Sequence, residues 1–300
     1  MVRLFARDDA HGLRAGPARV LGRHEVAAAL AVCAVDPVTA ALAAARVADW
    51  PEADARGGGS VWAYPSSGPP TAICWSGANL FPVVPETGPE REAALDAFAS
   101  AARLEGRRSS SIVGDADVAL GLWERLAPTW PRPREIRASQ PSMAIARDPD
   151  VAPDPAVRRG LTEEVGAILP ACVRMFVEEV GYSPVVGGSS AYERRVRQLI
   201  ATGRSFVRME RGADGRPFVA FKAELGAVTD HVAQIQGVWV DPARRGHRLS
   251  ESGVAAVVAA ARREVAPIVS LYVNDFNAPA LAAYRRVGFE QVGTLATVLF

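Results

Sequence analysis

Arg244 to Ser250 is a short basic turn containing a glycine, and its residue types could do chemistry. The apolar run before it, Val232 to Val240, reads as a strand stopped by Asp241-Pro242, and the Ala/Val-rich stretch after it reads as a helix from about Leu249. Backbone N–H groups of such a turn and the positive end of the helix dipole face one point, which makes an anion site. Taken alone, the turn could equally be a basic helix start. One strand-and-helix unit later comes Ile268 to Phe289, IVSLYVNDFNAPALAAYRRVGF. A β-branched run to Val273 turns through Asn274, Asp275 and Asn277 into a helix over about Pro279 to Val287, and Gly288 suits a left-handed stop. Asn277 could be an N-cap or turn residue, and Tyr284 an aromatic packed on the sheet. Glu224 stands among Phe218, Phe221 and Leu225, where burial could raise its pKa and make it a general base. Lys222, two residues away on the same strand face, offers it an ion pair instead. His231 is a second base candidate, or a plain loop histidine. Gln234 and Gln236 share a strand face and could hold a water or orient a substrate.

The elements that must position these groups begin near Val157. Val157 to Leu161 reads as a strand, Thr162 as the cap of a helix running through Met175 and Phe176 towards Gly181, and Glu163 and Glu164 as dipole partners in its first turn. SPVVGGSS is a loop. Ala191 to Ala201 is a helix with Arg194, Arg195 and Arg197 exposed. Tyr182 and Tyr192 flank that loop and could border a pocket, or pack at its rim. Ser205 to Glu210 and Pro217 to Leu225 are strands joined by a turn at Asp214-Gly215. In the first half, His24 to Val35 and Val38 to Trp50 read as helices, the second with Asp36 as N-cap and Pro37 in its first turn. Gly57 to Ser60 is a flexible turn. Val61 to Tyr64, Thr71 to Trp75 and a run within Ser76 to Val84 are strands, Glu90 to Glu105 a helix, Ser109 to Val113 a strand, and Asp115 caps a helix to Leu126. Trp123 and Trp130 flank a Pro-rich connector. Arg147 to Pro155, RDPDVAPDP, has no periodicity and reads as a linker, which divides the chain into 1–146, 147–155 and 156–300.

Asn277, Ala280, Tyr284, Gly288 and Phe289 form the pattern N-x-x-A-x-x-x-Y-x-x-x-G-F. With the upstream turn, it closely resembles the GNAT superfamily of acyl-CoA N-acyltransferases. The resemblance is specific over about Gln234 to Gly293 and one of layout elsewhere. It implies an α/β (α+β) fold, with a mixed, mostly antiparallel sheet flanked by helices in the second half. The first half has the same element order without the motifs, so it is a degenerate GNAT-like domain or another small α/β domain, and no CoA binding is expected of it. The whole arrangement resembles actinobacterial two-domain GNAT proteins with an uncharacterised amino-terminal domain.

The resemblance also implies roles. Arg245, Gly246, His247, Arg248, Leu249 and Ser250 stand where the family binds the CoA pyrophosphate, with Arg248 at a position where glycine is usual. Val238, Trp239 and Val240 would lend backbone to the acyl group, and Asn277 and Ala280 would border the cofactor. Tyr284 would be the general acid for the departing thiolate, and Glu224 the base. The implied activity is transfer of acetyl from acetyl-CoA to a primary amine, on a small molecule, peptide or protein, by an acyltransferase of groups other than aminoacyl. A larger acyl group is a variant of this reading. A non-catalytic CoA-binding or scaffold protein is the alternative. A homodimer stays open.

The totals exclude other classes. A net charge of +1 gives no electrostatic reason for a nucleic-acid or acidic-membrane partner. Hydrophobic content of 49% against 22% charged supplies folded cores rather than disorder. No apolar run approaches the roughly 20 residues of a membrane span, and the first residues do not read as a signal peptide. Cys33, Cys74 and Cys172 are scattered, so neither a metal site nor a disulfide scaffold is expected, and a cytoplasmic location is. Lys222 is the single lysine, and the arginine-rich balance reads as codon bias.

Overall fold

The computed structural model describes residues 17–50, 59–181, 183–185 and 190–300. The amino-terminal stretch, part of the Gly57–Ser60 turn, Tyr182 and the middle of the loop after it lie outside the described residues.

The first half contains β1 (Arg19–Val20), α1 (Val26–Cys33), α2 (Ala41–Asp49), β2 (Ser60–Tyr64), β3 (Ala72–Ser76), β4 (Leu80–Val83), α3 (Gly88–Glu105), β5 (Ser111–Asp115), α4 (Ala116–Leu126) and β6 (Glu135–Ile145). The second half contains β7 (Val157–Arg159), α5 (Val165–Val180), α6 (Ser190–Ala201), β8 (Ser205–Arg211), β9 (Pro217–Val228), β10 (Val232–Val240), α7 (Leu249–Glu264), β11 (Ile268–Tyr272), α8 (Ala278–Val287) and β12 (Glu290–Leu299). The expected mixed fold is present. Asp115 caps α4 as expected, accepting from Asp117 N and Val118 N. Two expected caps differ. Thr162 lies inside a short 3-10 turn whose N-cap is Leu161, and Glu164 accepts from the Leu161 N–H at 3.0 Å, so the longer carboxylate takes over the capping. Asp36 accepts from Thr39 N at 3.1 Å but caps only a turn, because α2 starts at Ala41.

All twelve strands join one sheet in the order β1-β2-β3-β4-β5-β12-β6-β11-β10-β9-β8-β7. The order contains an exchange. β12, from the second half, pairs with β5 of the first, over Leu295 to Leu299 against Asp115 to Ser111. β6, from the first half, pairs with β11 of the second, over Ser142 to Ile145 against Tyr272 to Val269. β6 and β12 then pair with each other, antiparallel. Neither strand stands out in the sequence, since β6 carries Pro141 and a run of polar residues. Pro141 is tolerated because its carbonyl still accepts, from Val273 N at 3.2 Å.

Helices cover both faces. α7 and α8 bury one face of the second half with Phe221, Leu225, Ile235, Val254, Val258 and Leu271. α5 and α6 cover the other through Ile168, Cys172, Val196, Val207 and Trp239. In the first half, α3 and α4 pack on Ile112 and Leu80, while α1 and α2 pack on Ile73 and Phe81. α2 also touches β9 and β10, so a helix of the first half rests against the second. The 147–155 stretch is tied down at Asp150, whose N–H donates to Val287 O at 2.9 Å, and at Asp154, which accepts from Arg208 at 2.7 Å. Trp123 and Trp130 both meet Phe300 edge-on, at 5.6 and 5.5 Å.

Because β5 and β11 each lean on a strand from the other half, both halves should melt in a single calorimetric transition. Two separated peaks would show that the halves fold independently.

Candidate active site

β10 and β11 run parallel but pair only over Val232–Gln234 and Ile268–Ser270. β10 then continues along β9 to Val240 while β11 follows β6, so a wedge opens between them. On the β10 side the ladder shifts between Gln236 and Trp239, and Gly237 sits in the shift at φ +58°. Glycine is needed there for its conformation and for space, since a Cβ would stand 3.0 Å from Met175 Sδ and 3.2 Å from Lys222 Nζ. Val238 and Val240 pack towards the α7 core. Trp239 faces the other way, donating its indole N–H to Glu178 Oε1 at 3.3 Å. What this stretch offers the wedge is therefore backbone.

The basic turn follows. Arg245 folds back, with Nε on Val240 O at 3.2 Å and Nη2 on Glu178 Oε2 at 2.6 Å. Its side chain braces the turn against α5. Gly246 has φ +82°, and His247 Nδ1 lies 3.0 Å from Arg245 O. Arg248 adopts the left-handed conformation, φ +58° and ψ +18°, as the residue before α7. The sequence places arginine where glycine is usual, and the backbone still takes the glycine conformation, at a cost of about 1–2 kcal/mol. The Arg248 side chain is exposed. Leu249 is buried under α7 and Ser250 opens its first turn, ahead of Glu251, whose N–H donates to Arg248 O at 3.1 Å. The earlier N–H groups of the helix have no intrahelical acceptor and remain for an anion.

Asn277 is the N-cap of α8, its Oδ1 accepting from Ala280 N at 3.3 Å. The loop before it is held from the exchanged strands. Thr297 donates to Gln140 Oε1 at 2.6 Å, and Gln140 donates to Asn274 Oδ1 at 2.8 Å. Tyr284 is 8% exposed and meets Phe289 edge-on at 6.1 Å. Burial, and secondarily the Glu179 carboxylate, push its phenol well above the usual range, so it keeps its proton.

Glu224 is one partner of a buried pair. Lys222 Nζ, with no exposed surface, lies 2.6 Å from Glu224 Oε1, 3.1 Å from Gly237 O and 3.4 Å from Met175 Sδ. Burial is the largest influence on the Lys222 pKa and lowers it, but the Glu224 charge, the Cys172 sulfur and the hydrogen bonds to both together outweigh burial, and the net direction is upward. Cys172 Sγ lies 3.5 Å from the same carboxylate, its thiol pushed up to about 12 by burial. Gln236 donates to Gln234 at 3.1 Å on this face. Tyr192 donates its hydroxyl to Cys172 O at 3.0 Å. His231 sits at the closed end of the wedge, where its carbonyl accepts from Ile268 N at 3.3 Å. The structure thus ties the turn to the end of β10 through Arg245 and Val240, and the β10 bulge to the Lys222–Glu224 pair through Gly237, while Tyr284 packs with Phe289 in the core beneath α7 and α8, and His231 stands apart. Sequence reasoning missed the bridge from Lys222 to Gly237. A lone lysine on an apolar strand of an arginine-rich chain was the available signal.

Comparison with known proteins agrees with this geometry. Residues 187–289 match the model of the acetyltransferase (GNAT) family, and residues 59–168 match a domain of unknown function (DUF4081). A stretch of 76 residues is 42% identical to mycothiol acetyltransferase of Brachybacterium faecium, covering 25% of this chain and 23% of that protein. The chain therefore spans under a quarter of that relative. Among solved structures, a Drosophila protein superposes with a TM-score of 0.63 at 12% identity, over 94% of this chain and 98% of the other. A tandem GNAT protein from the clavulanic acid biosynthesis pathway superposes with 0.50 at 14% identity, over 94% and 98%. These likenesses show the fold over nearly the whole chain.

Lys222→Met leaves a buried carboxylate unpaired and should cost about 3–5 kcal/mol in denaturant unfolding. Since the folded Lys222 pKa is raised, the stability it contributes is fully present below its unfolded pKa and is lost as pH climbs through the folded one. A loss within about 0.5 kcal/mol would mean the pair is not buried as described. Arg248→Gly should instead stabilise the protein, by up to about 1 kcal/mol after the larger chain entropy of glycine is subtracted, and a clear drop in Tm would refute the strain.

Proposed function

We propose that this chain, whose residues 187–289 match the model of the acetyltransferase (GNAT) family, transfers an acetyl group from acetyl-CoA to a primary amine. The observation that carries the reading is an open wedge beside a β10 bulge that leads directly into a basic turn at a helix N-terminus, with a buried, protonated Tyr284 on the helix that follows β11 in support. The residues fit an acyl-CoA. The exposed turn from Arg245 to Ser250 would hold the pyrophosphate through backbone N–H groups, and Val238 to Val240 would polarise the acyl carbonyl from the β10 backbone. Asn277 and Ala280 would border the bound cofactor from the start of α8. Acetyl-CoA supplies the thioester that the amine attacks.

The chain's own groups then manage protons. Tyr284, its proton in place, would serve the leaving sulfur once an acyl-CoA is bound. A thiol near the ordinary pKa of about 8.5 is a stronger acid than this phenol, so Tyr284 acts first as a hydrogen-bond donor to the developing thiolate. Glu224 accepts the amine proton, directly or through a water oriented by Gln234 and Gln236. Lys222 opposes that step, because a protonated Glu224 would leave a buried ammonium uncompensated.

The covalent division at residues 147–155 and a cytoplasmic location belong to this reading. Their support is the aperiodic Pro/Asp stretch, the three buried free cysteines, and the lack, among the described residues, of a helix long and apolar enough to cross a membrane. The strained Arg248 favours a second reading, a CoA-binding or scaffold protein without catalysis.

Calorimetric titration with acetyl-CoA separates them from a chain that has lost the site. Micromolar binding, about −8 kcal/mol, is expected, and its absence would overturn both readings. Tyr284→Phe should then lower kcat by about 10²-fold with acetyl-CoA affinity kept. Wild-type rates in that variant would remove Tyr284 from the chemistry.

A further inference from the structure

The sheet face under α5 and α6 would be apolar if it did nothing but carry helices. Instead a polar band crosses it. Glu224 pairs in register with Gln236, and Gln234 with Ser270 on the next strand. Tyr272, two residues on from Ser270, lies opposite Ser142 of β6. Gln234, Ser270 and Ser142 are 1%, 0% and 1% exposed. The hydroxyls of Ser142 and Ser270 have no hydrogen-bond partner among the described residues. A buried hydroxyl left unpaired is costly, so two of them on adjacent strands mark a floor that a polar group meets.

α6 and α2, one from each half, stand over this face, both touching β9. Each carries an arginine with no ion pair among the described residues, Arg195 on α6 and Arg46 on α2. Arg195 is half-buried, not exposed as its sequence position suggests. Arg46 is exposed, with protein packed beside part of its side chain. Its pKa is lowered first by the surrounding protein and then by the nearby Arg195 charge. Arg195 also acts on Tyr272 and Tyr192, which ties it to the floor. Asp49, one turn along α2, attracts Arg46 without reaching ion-pair distance. Arg137 of β6 enters the same region but is held by Glu135 at 2.9 Å and Glu179 at 3.8 Å. Two neighbouring arginines therefore carry no ion pair among the described residues on the sheet face that holds Glu224.

We infer that this cleft between the two halves is the acceptor site, and that the acceptor is an amine bearing a second, anionic group, a carboxylate or phosphate, clamped by Arg46 and Arg195 over the Ser142–Ser270 floor. The inference rests on the acetyltransferase reading and adds to it a substrate class and a task for the first half. The arginines also favour the reactive form of the amine, since nearby positive charge disfavours an ammonium. The anion offsets the repulsion between the two guanidinium groups.

The test titrates the full chain, saturated with CoA, with amines in matched sets: an amino acid, its neutral amide, and an aminoalkyl phosphate of similar length. An anionic member should bind at least about tenfold more tightly than its neutral counterpart. Whether carboxylate or phosphate gains more names the source. Arg46→Gln and Arg195→Gln should each erase the preference and, by removing like-charge repulsion, melt no lower than wild type. Ser142→Ala gives an arm independent of charge and should raise Tm while weakening the preferred acceptor. If no anionic member outbinds its neutral counterpart, or if the preference survives both arginine variants, the inference is overturned while the acetyltransferase reading stands. Failure of acetyl-CoA to bind, measured before any amine is added, would overturn both.

Discussion

Backbone hydrogen bonds from β12 to β5 on one side and to β6 on the other hold this molecule together. Each half lends its last strand to the other, so a peptide ladder crosses the sequence division and no sheet edge is left at the centre. Other features follow from it. β6 supplies the wall beside β11, so the strand beyond the wedge comes from the first half. Gln140, carried on β6, reaches Asn274 and fixes the loop that starts α8. The continuous sheet also brings α2 against β9 and β10. The first half is thus part of the site's construction even though it carries no nucleotide-binding motif.

The Lys222–Glu224 pair is the second organising contact. A fully buried ammonium is tolerable only because a carboxylate, a backbone carbonyl and a thioether surround it. The carbonyl belongs to Gly237, at the irregularity that turns β10 backbone towards the wedge. One charge therefore links the shape of the strand to the carboxylate beside it. Glu224 is held in this contact as a counter-ion, the same carboxylate that the proposed reaction would ask to take a proton.

What was legible in the sequence was local. Gly288 stops α8 in the left-handed region, Asp115 caps α4, and the turn between β10 and α7 stands where its residue types place it. Asn277 was legible only as a choice, and the structure shows its N-cap role. Arg248 was visible as a departure from glycine, but only the backbone shows that it keeps the glycine conformation. The long-range features were not legible. β6 looks like a connector because its apolar pattern is broken by Pro141 and polar side chains, of which Gln140 finds its partners, Asn274 and Thr297, only far along the chain. Arg46 and Arg195 are ordinary helix arginines until the halves pack. Thr162 was misplaced by a turn because capping by Glu164 depends on a 3-10 geometry that composition does not specify.

The exchange of strands also sets an order in time. β12 follows every other described element in the order of synthesis, and β5 was made long before it. While the ribosome works, the first half must wait with one flank of β5 uncovered, exposed to misplaced pairing. Closing the ladder then joins residues near 115 to residues near 295, a separation that makes folding slow. Completion of both halves is therefore a late event in the life of the chain, and the wedge, walled by β6, is assembled only then.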